Sequence, residues 1–111
     1  MRAFLFVGIL AAAVSTSAAA QVPDGKALYD AQCKKCHGAL GTPTKVMGTK
    51  FPKMLPFNDA KAGTAKGTAA DVVTILTKGK GTDMKPFSDK MKPDEMTAVA
   101  KYVLELAKPK S

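Results

Sequence analysis

The chain has 111 residues, a formal charge of +8 at pH 7, two cysteines, one histidine and no tryptophan. That length allows one small domain, whose own hydrophobic core is marginal. The basic excess is nearly all lysine, with Arg2 the only arginine, which argues against a nucleic-acid reader that needs bidentate contacts to phosphates and bases.

Met1 and Arg2 make a short positive start, Ala3 to Val14 is apolar, and Ser15 to Ala20 is small and polar, ending in Ala18-Ala19-Ala20. This order is that of a secretory signal peptide cleaved after Ala20, and the apolar run is short for an uncleaved anchor. The expected division is residues 1–20 as a leader that is removed and residues 21–111 as one domain. Asp24 is an N-cap for a first helix through "GKALYDAQCKKC", carrying Leu28 and Ala31 toward the core. Gly38 to Pro56 is broken by glycines and prolines and reads as a loop. Phe57 to Gly67 suggests a short helix ending near Gly63 or Gly67.

Thr68 opens "TAADVVTILTKGKG", where Asp71 stands three residues on, as in a capping box, and Gly79 gives the stop. Val72, Val73, Ile75 and Leu76 form its apolar face. "TDMKPFSDKMK" is bracketed by Pro86 and Pro93 and predicts irregular chain. Pro93 then starts a last helix, with Asp94 and Glu95 suited to its positive end. Met96, Val99, Ala100, Val103 and Leu106–Ala107 recur at helical spacing, and Met91 is placed to act as a hydrophobic staple. No stretch alternates as a strand does, so the fold class is all-α.

"CKKCH", Cys33 to His37, fits the C-x-x-C-H pattern of c-type haem attachment. Two thiols one helical turn apart can add to the two vinyl groups on one porphyrin edge, and the next residue then aims its imidazole at the iron. A haem also supplies the centre that a marginal core lacks, whereas a Cys33–Cys36 disulfide would close only a tiny loop. Three rivals compete. A thioredoxin-like dithiol needs strands that the pattern does not contain. A structural zinc site needs a further Cys, His or carboxylate ligand, and no other Cys or His exists in the chain. A chance match would leave a disulfide and a surface histidine.

With His37 alone, bis-histidine ligation is excluded, and a thioether, a lysine amine or an open position remains for the other face. Met96 and Met91 read as core, while Met47 and Met54 lie in the loop nearest the cysteines. Met84 sits on irregular chain between two helices, next to Pro86–Phe87, a setting that can hold a side chain across a flat cofactor.

"CKKCHG" near the start and "GKGTDMKPFSDKMKPDEMTAVAKYV" near the end together resemble a small bacterial class I, monohaem cytochrome c. Glu95, Ala98, Val99, Tyr102 and Val103 match the family's last-helix pattern. Gly25 and Tyr29 match its small and aromatic positions where the first and last helices cross. The resemblance implies a fold of crossing terminal helices, with short helices and loops around one haem c. It implies thioether links at Cys33 and Cys36, His37 as proximal iron ligand and Met84 as distal iron ligand. Lys92 departs from the serine or threonine usual before the last helix, predicting a weaker start. Pro43 and Pro52 compete as the proline whose carbonyl orients the histidine.

The implied function is an electron carrier with no catalytic reaction of its own, located by its leader in the periplasm. Its expected partners are redox proteins with acidic docking surfaces, met through Lys34, Lys35, Lys78, Lys80 and Lys85. Membrane contact would be peripheral at most, and the protein a monomer. The alternative function is a haem-based sensor or ligand-binding protein with a displaceable sixth ligand.

Overall fold

A computed structural model describes Gly8 and residues 22–109, so the expected leader lies, apart from Gly8, outside the described residues. Five helices follow in chain order: α1 (Gly25–Gln32), α2 (Lys34–His37), α3 (Lys45–Lys50), α4 (Ala69–Lys78) and α5 (Pro93–Ala107). A single 3₁₀ turn, Gly63–Ala65, stands where a short helix was expected before α4. Among the described residues there is no strand, only an isolated antiparallel bridge between Lys80 and Met84. The all-α reading holds.

The core forms where α1 and α4 pack against α5. Its buried side chains are Tyr29 and Cys33, Val72 and Leu76, Met91, and Met96, Val99, Ala100, Val103 and Ala107. On α5 these positions fall at the expected three- and four-residue spacing. Gly25 allows the crossing, because a Cβ there would collide with the Ala98 carbonyl. Tyr29 fills the next turn and meets Tyr102 edge-on, with ring centroids 5.2 Å apart. The positions expected at the helix crossing thus meet α5.

The side of α1 that faces the core differs from the expectation. Leu28 packs against the core, but Ala31 is exposed, because the face turned to α5 runs through Gly25, Tyr29 and Cys33 at four-residue spacing. The single helix expected through Cys36 is also interrupted at Cys33 (φ −119°), where α1 ends and the one-turn α2 begins. The backbone stays connected, since the Cys33 N–H donates to Tyr29 and the His37 N–H donates to Cys33.

The expected loop from Gly38 to Pro56 contains α3, capped by Thr44, whose hydroxyl accepts the Met47 N–H at 3.4 Å. Helix α4 starts as expected. The Thr68 hydroxyl accepts the Asp71 N–H at 3.3 Å, and the Asp71 carboxylate accepts the Thr68 N–H at 2.8 Å. Helix α5 lacks a hydroxyl cap, yet Glu95 supplies the reciprocal arm by accepting the Lys92 N–H at 2.8 Å. Pro93 has no N–H to satisfy, so the start is better paired than Lys92 alone predicts. Met91 and Met96, flanking this start at the staple positions, are both 4 % exposed in the same core.

Candidate haem-attachment site

The site is assembled from the end of α1, the turn of α2 and the loop between α4 and α5. Cys33 is buried at the end of α1 and Cys36 is half-buried one turn later, with no disulfide between them. Burial, with a smaller contribution from Cys36, pushes the Cys33 thiol up to about 11. A reactive dithiol depends on a shift in the opposite direction. Among the described residues no three His, Cys, Asp or Glu side chains converge as a metal cluster.

His37 closes α2, and Gly38 turns the chain away at φ +74°. The His37 ring stacks on Phe57, with centroids 5.0 Å apart and planes 28° apart. Its Nδ1 is buried and has no hydrogen-bond partner, so neither Pro43 nor Pro52 offers it a carbonyl. Burial, with the charge of Lys80 adding, holds His37 below the usual imidazole range. The neutral imidazole, the form that binds a metal, is therefore favoured.

Lys80 belongs to the segment that carries Met84. Gly79 leaves α4 at φ +74°, where a Cβ would press on the Met84 carbonyl at 2.6 Å and on Pro86 at 2.9 Å. The chain then folds back on itself. Lys80 N–H donates to the Met84 carbonyl at 2.8 Å, and Met84 N–H returns to Lys80 at 3.3 Å. Phe87 N–H donates to the Leu76 carbonyl at 2.7 Å, tying the far side of the loop to α4. Met84 is held at both ends and packs, half-buried, against the cluster that includes Cys33. Met91 and Met96 belong to the core beneath, with the Thr77 hydroxyl 3.8 Å from the Met96 sulfur. Met47 and Met54 are half-buried, on α3 and just after it.

The five lysines expected at the docking face, Lys34, Lys35, Lys78, Lys80 and Lys85, are all exposed. Two contacts were not anticipated from the sequence: the Phe57 stack and a buried bond from the Tyr29 hydroxyl to the Gly38 carbonyl at 2.6 Å. The second had a signal in the sequence, since a tyrosine at a buried crossing position needs a partner for its hydroxyl.

Comparison with known proteins bears on the family and the fold. Residues 20–103 match the family described as cytochrome c oxidase, cbb3-type, subunit III. The chain is similar to cytochrome c6 of Synechocystis sp., 31 % identical over 103 residues, covering 93 % of this chain and 80 % of that protein. It is also 31 % identical to cytochrome c6 of Leptolyngbya boryana over 83 residues, covering 75 % and 89 % of the two chains. Among solved structures it resembles the KustC0563 c-type cytochrome, with TM-score 0.66 and 32 % identity over 77 % of this chain and 99 % of that one. Two unoxidised thiols one turn apart, and beside them a neutral imidazole with a buried unpaired nitrogen, suit a covalently held haem. The chain belongs to this cytochrome c family and is a small monohaem class I cytochrome with an all-α fold and a covalently bound haem c.

Proposed function

We propose that this protein is an exported one-electron carrier with His37 and Met84 as the axial ligands of its haem. Cys33 and Cys36 would hold the haem through two thioethers, each sulfur on one vinyl carbon with the thiol proton on the other carbon of that vinyl group. When bound, the haem iron supplies the one-electron couple. His37 would supply a neutral nitrogen to the iron and Met84 a soft sulfur, which favours the reduced state.

The observation that carries this reading is how Met84 is held. The Lys80 bridge fixes its backbone on one side and the Phe87–Leu76 hydrogen bond on the other, while Lys80 lies close enough to His37 for its charge to act there. A ligand clamped in this way stays in place as the electron comes and goes, which disfavours the sensing alternative with its displaceable sixth position. Residues 1–20 direct export to the periplasm and are removed, leaving residues 21–111 as a monomer. No described helix is long and apolar enough to cross a membrane. The exposed lysines at 34, 35, 78, 80 and 85 meet acidic surfaces of redox partners, so electron exchange slows as salt screens them.

The test is spectroscopic. The purified protein should keep its haem through acid–acetone extraction and show a low-spin spectrum. Met84→Ala should convert that spectrum to high-spin. A low-spin spectrum unchanged in Met84→Ala would remove Met84 from the iron.

A further inference from the structure

Helix α4 does not leave its last turn in the usual left-handed way. The turn itself closes, with the Gly79 N–H donating to the Ile75 carbonyl at 2.7 Å. Gly79 then takes φ +74° with ψ −179°. A left-handed helix end would have ψ near roughly +47°. The observed pair of angles lies in a region that essentially only glycine occupies. It turns the chain back on itself, and Lys80 and Met84 exchange both backbone hydrogen bonds, at 2.8 and 3.3 Å. Gly81, Thr82 and Asp83 form the tip between them.

The returning chain lies against the bare α-carbon of Gly79. A Cβ there would stand 2.6 Å from the Met84 carbonyl oxygen and 2.9 Å from both the nitrogen and the Cδ of Pro86. These are parts of a backbone and of a proline ring, so neither can swing aside as a flexible side chain would. Gly81 also has a positive φ (+62°), but a Cβ there would meet nothing within 4 Å. Space is therefore short at the base of the loop and not at its tip. Just beyond Pro86, the Phe87 N–H is pinned to the Leu76 carbonyl on α4 at 2.7 Å. With that end fixed, a methyl group at Gly79 could not be absorbed by sliding the whole loop. It would have to lift Met84 and Pro86 away from α4.

We propose that Gly79 is a positioning residue for Met84, and that its missing side chain keeps the sixth position of the haem iron closed to external ligands. The inference rests on the assignment of Met84 as an iron ligand and adds what holds that ligand against competitors. An external ligand can bind only when the Met84 sulfur leaves the iron, so its affinity reports the balance between closed and opened loop. A methyl group at Gly79 strains the closed loop and is relieved in the opened one. Strain at a torsion reserved for glycine corresponds to roughly a ten-fold shift of that balance, or more. One methyl group then separates a carrier from a ligand-binding haem protein.

The test titrates imidazole into the oxidised, haem-loaded protein and follows the optical change as its nitrogen replaces the Met84 sulfur on the iron. No electron moves in that exchange, so the readout is independent of electron-transfer activity. Gly79→Ala should bind imidazole at least roughly ten-fold more tightly than wild type. Gly25→Ala is the matched control, because its Cβ meets the Ala98 carbonyl at the helix crossing and not the Met84 loop. It should bind imidazole as wild type does, whatever its unfolding midpoint. Pro86→Ala, which takes the ring off Gly79, should tighten imidazole several-fold, and it decides the matter if Gly79→Ala does not accumulate. Wild-type imidazole affinity in Gly79→Ala, or in Pro86→Ala where only that variant accumulates, would overturn the inference alone. An equal gain in Gly25→Ala would overturn it too, by making the effect one of general loosening. A low-spin spectrum unchanged in Met84→Ala would overturn the ligand assignment and the inference with it.

Discussion

The helix crossing and the middle of the chain are held together by different means. The buried hydrophobic side chains lie on α1, α4 and α5 or immediately beside them, from Tyr29 and Cys33 through Leu76 to Val103 and Ala107. Between Ala39 and Gly67 only Gly41 is buried, and Leu40 and Val46 are 64 % and 74 % exposed. The middle is fastened by point contacts instead. Phe57 N–H donates to Gly41, Thr44 N–H to Cys36 at 3.4 Å, and the Thr64 hydroxyl to the Phe57 carbonyl at 2.7 Å. Folding free energy should therefore be concentrated in the crossing, while the middle serves to hold a few groups beside His37.

The largest effect should come from Leu76→Ala. That side chain is 2 % exposed between α4 and α5, and truncation in such a core costs about 2–5 kcal/mol. Val46→Ala, on exposed α3, should stay within about 0.5 kcal/mol. Denaturant unfolding of the two variants measures the contrast directly, and equal losses would mean that the middle carries as much of the fold as the crossing. Gly25→Ala should follow, since its new Cβ meets the Ala98 carbonyl and α1 must move off α5. Overpacking of this sort costs about 1–3 kcal/mol. An unchanged unfolding midpoint would show that the two helices can part without loss.

These contrasts also explain what could be read in the sequence. The crossing was legible because Pro93, the Thr68–Asp71 box and the spacing of Met96, Val99, Ala100 and Val103 are local signals whose physics acts within one or two turns. "CKKCH" was legible because covalent attachment fixes the order of its residues. The phase of α1 is less legible: Ala31 is apolar, yet the volume of Tyr29 and the absence of a side chain at Gly25 decide which face meets α5. Helix α3 leaves little local signal, since Gly48 and the surrounding prolines break the pattern and Thr44 is its one cap. The Lys80–Met84 bridge and the Phe57 stack are contacts of one residue with one residue. They leave no periodicity to read, and a site built from such contacts is less visible than the frame that carries it.

Helix caps give a finer version of the same contrast. Thr68→Ala removes the hydroxyl arm of the box that starts α4, a helix packed on the core, and should cost about 1 kcal/mol. Thr44→Ala removes the corresponding cap from α3, whose 3.4 Å bond is longer and whose helix is a six-residue segment with no buried side chain. Its effect on global unfolding should be smaller. Its effect on amide exchange at Met47 should be the more visible one, because a local opening there leaves the core intact.

The smallest effect is a pH dependence at the other arm of the α4 box. The Thr68 backbone N–H first, and then the Thr68 hydroxyl, hold the Asp71 carboxyl below the usual carboxylate range. A carboxylate whose folded-state value is depressed contributes stability that is fully present above the unfolded-state value and is lost as pH falls through the folded one. The stability difference between wild type and Asp71→Asn should therefore be constant near neutrality and shrink as pH falls from about 5 to about 3. Asp30 is lowered too, by its hydrogen bond to Lys26 at 2.8 Å, but it is present in both proteins and cancels in the difference. Unfolding midpoints of the pair across that window are the measurement. A difference that does not change with pH would mean that Asp71 acts at the helix start through its shape and hydrogen bonding alone, with no contribution from its charge.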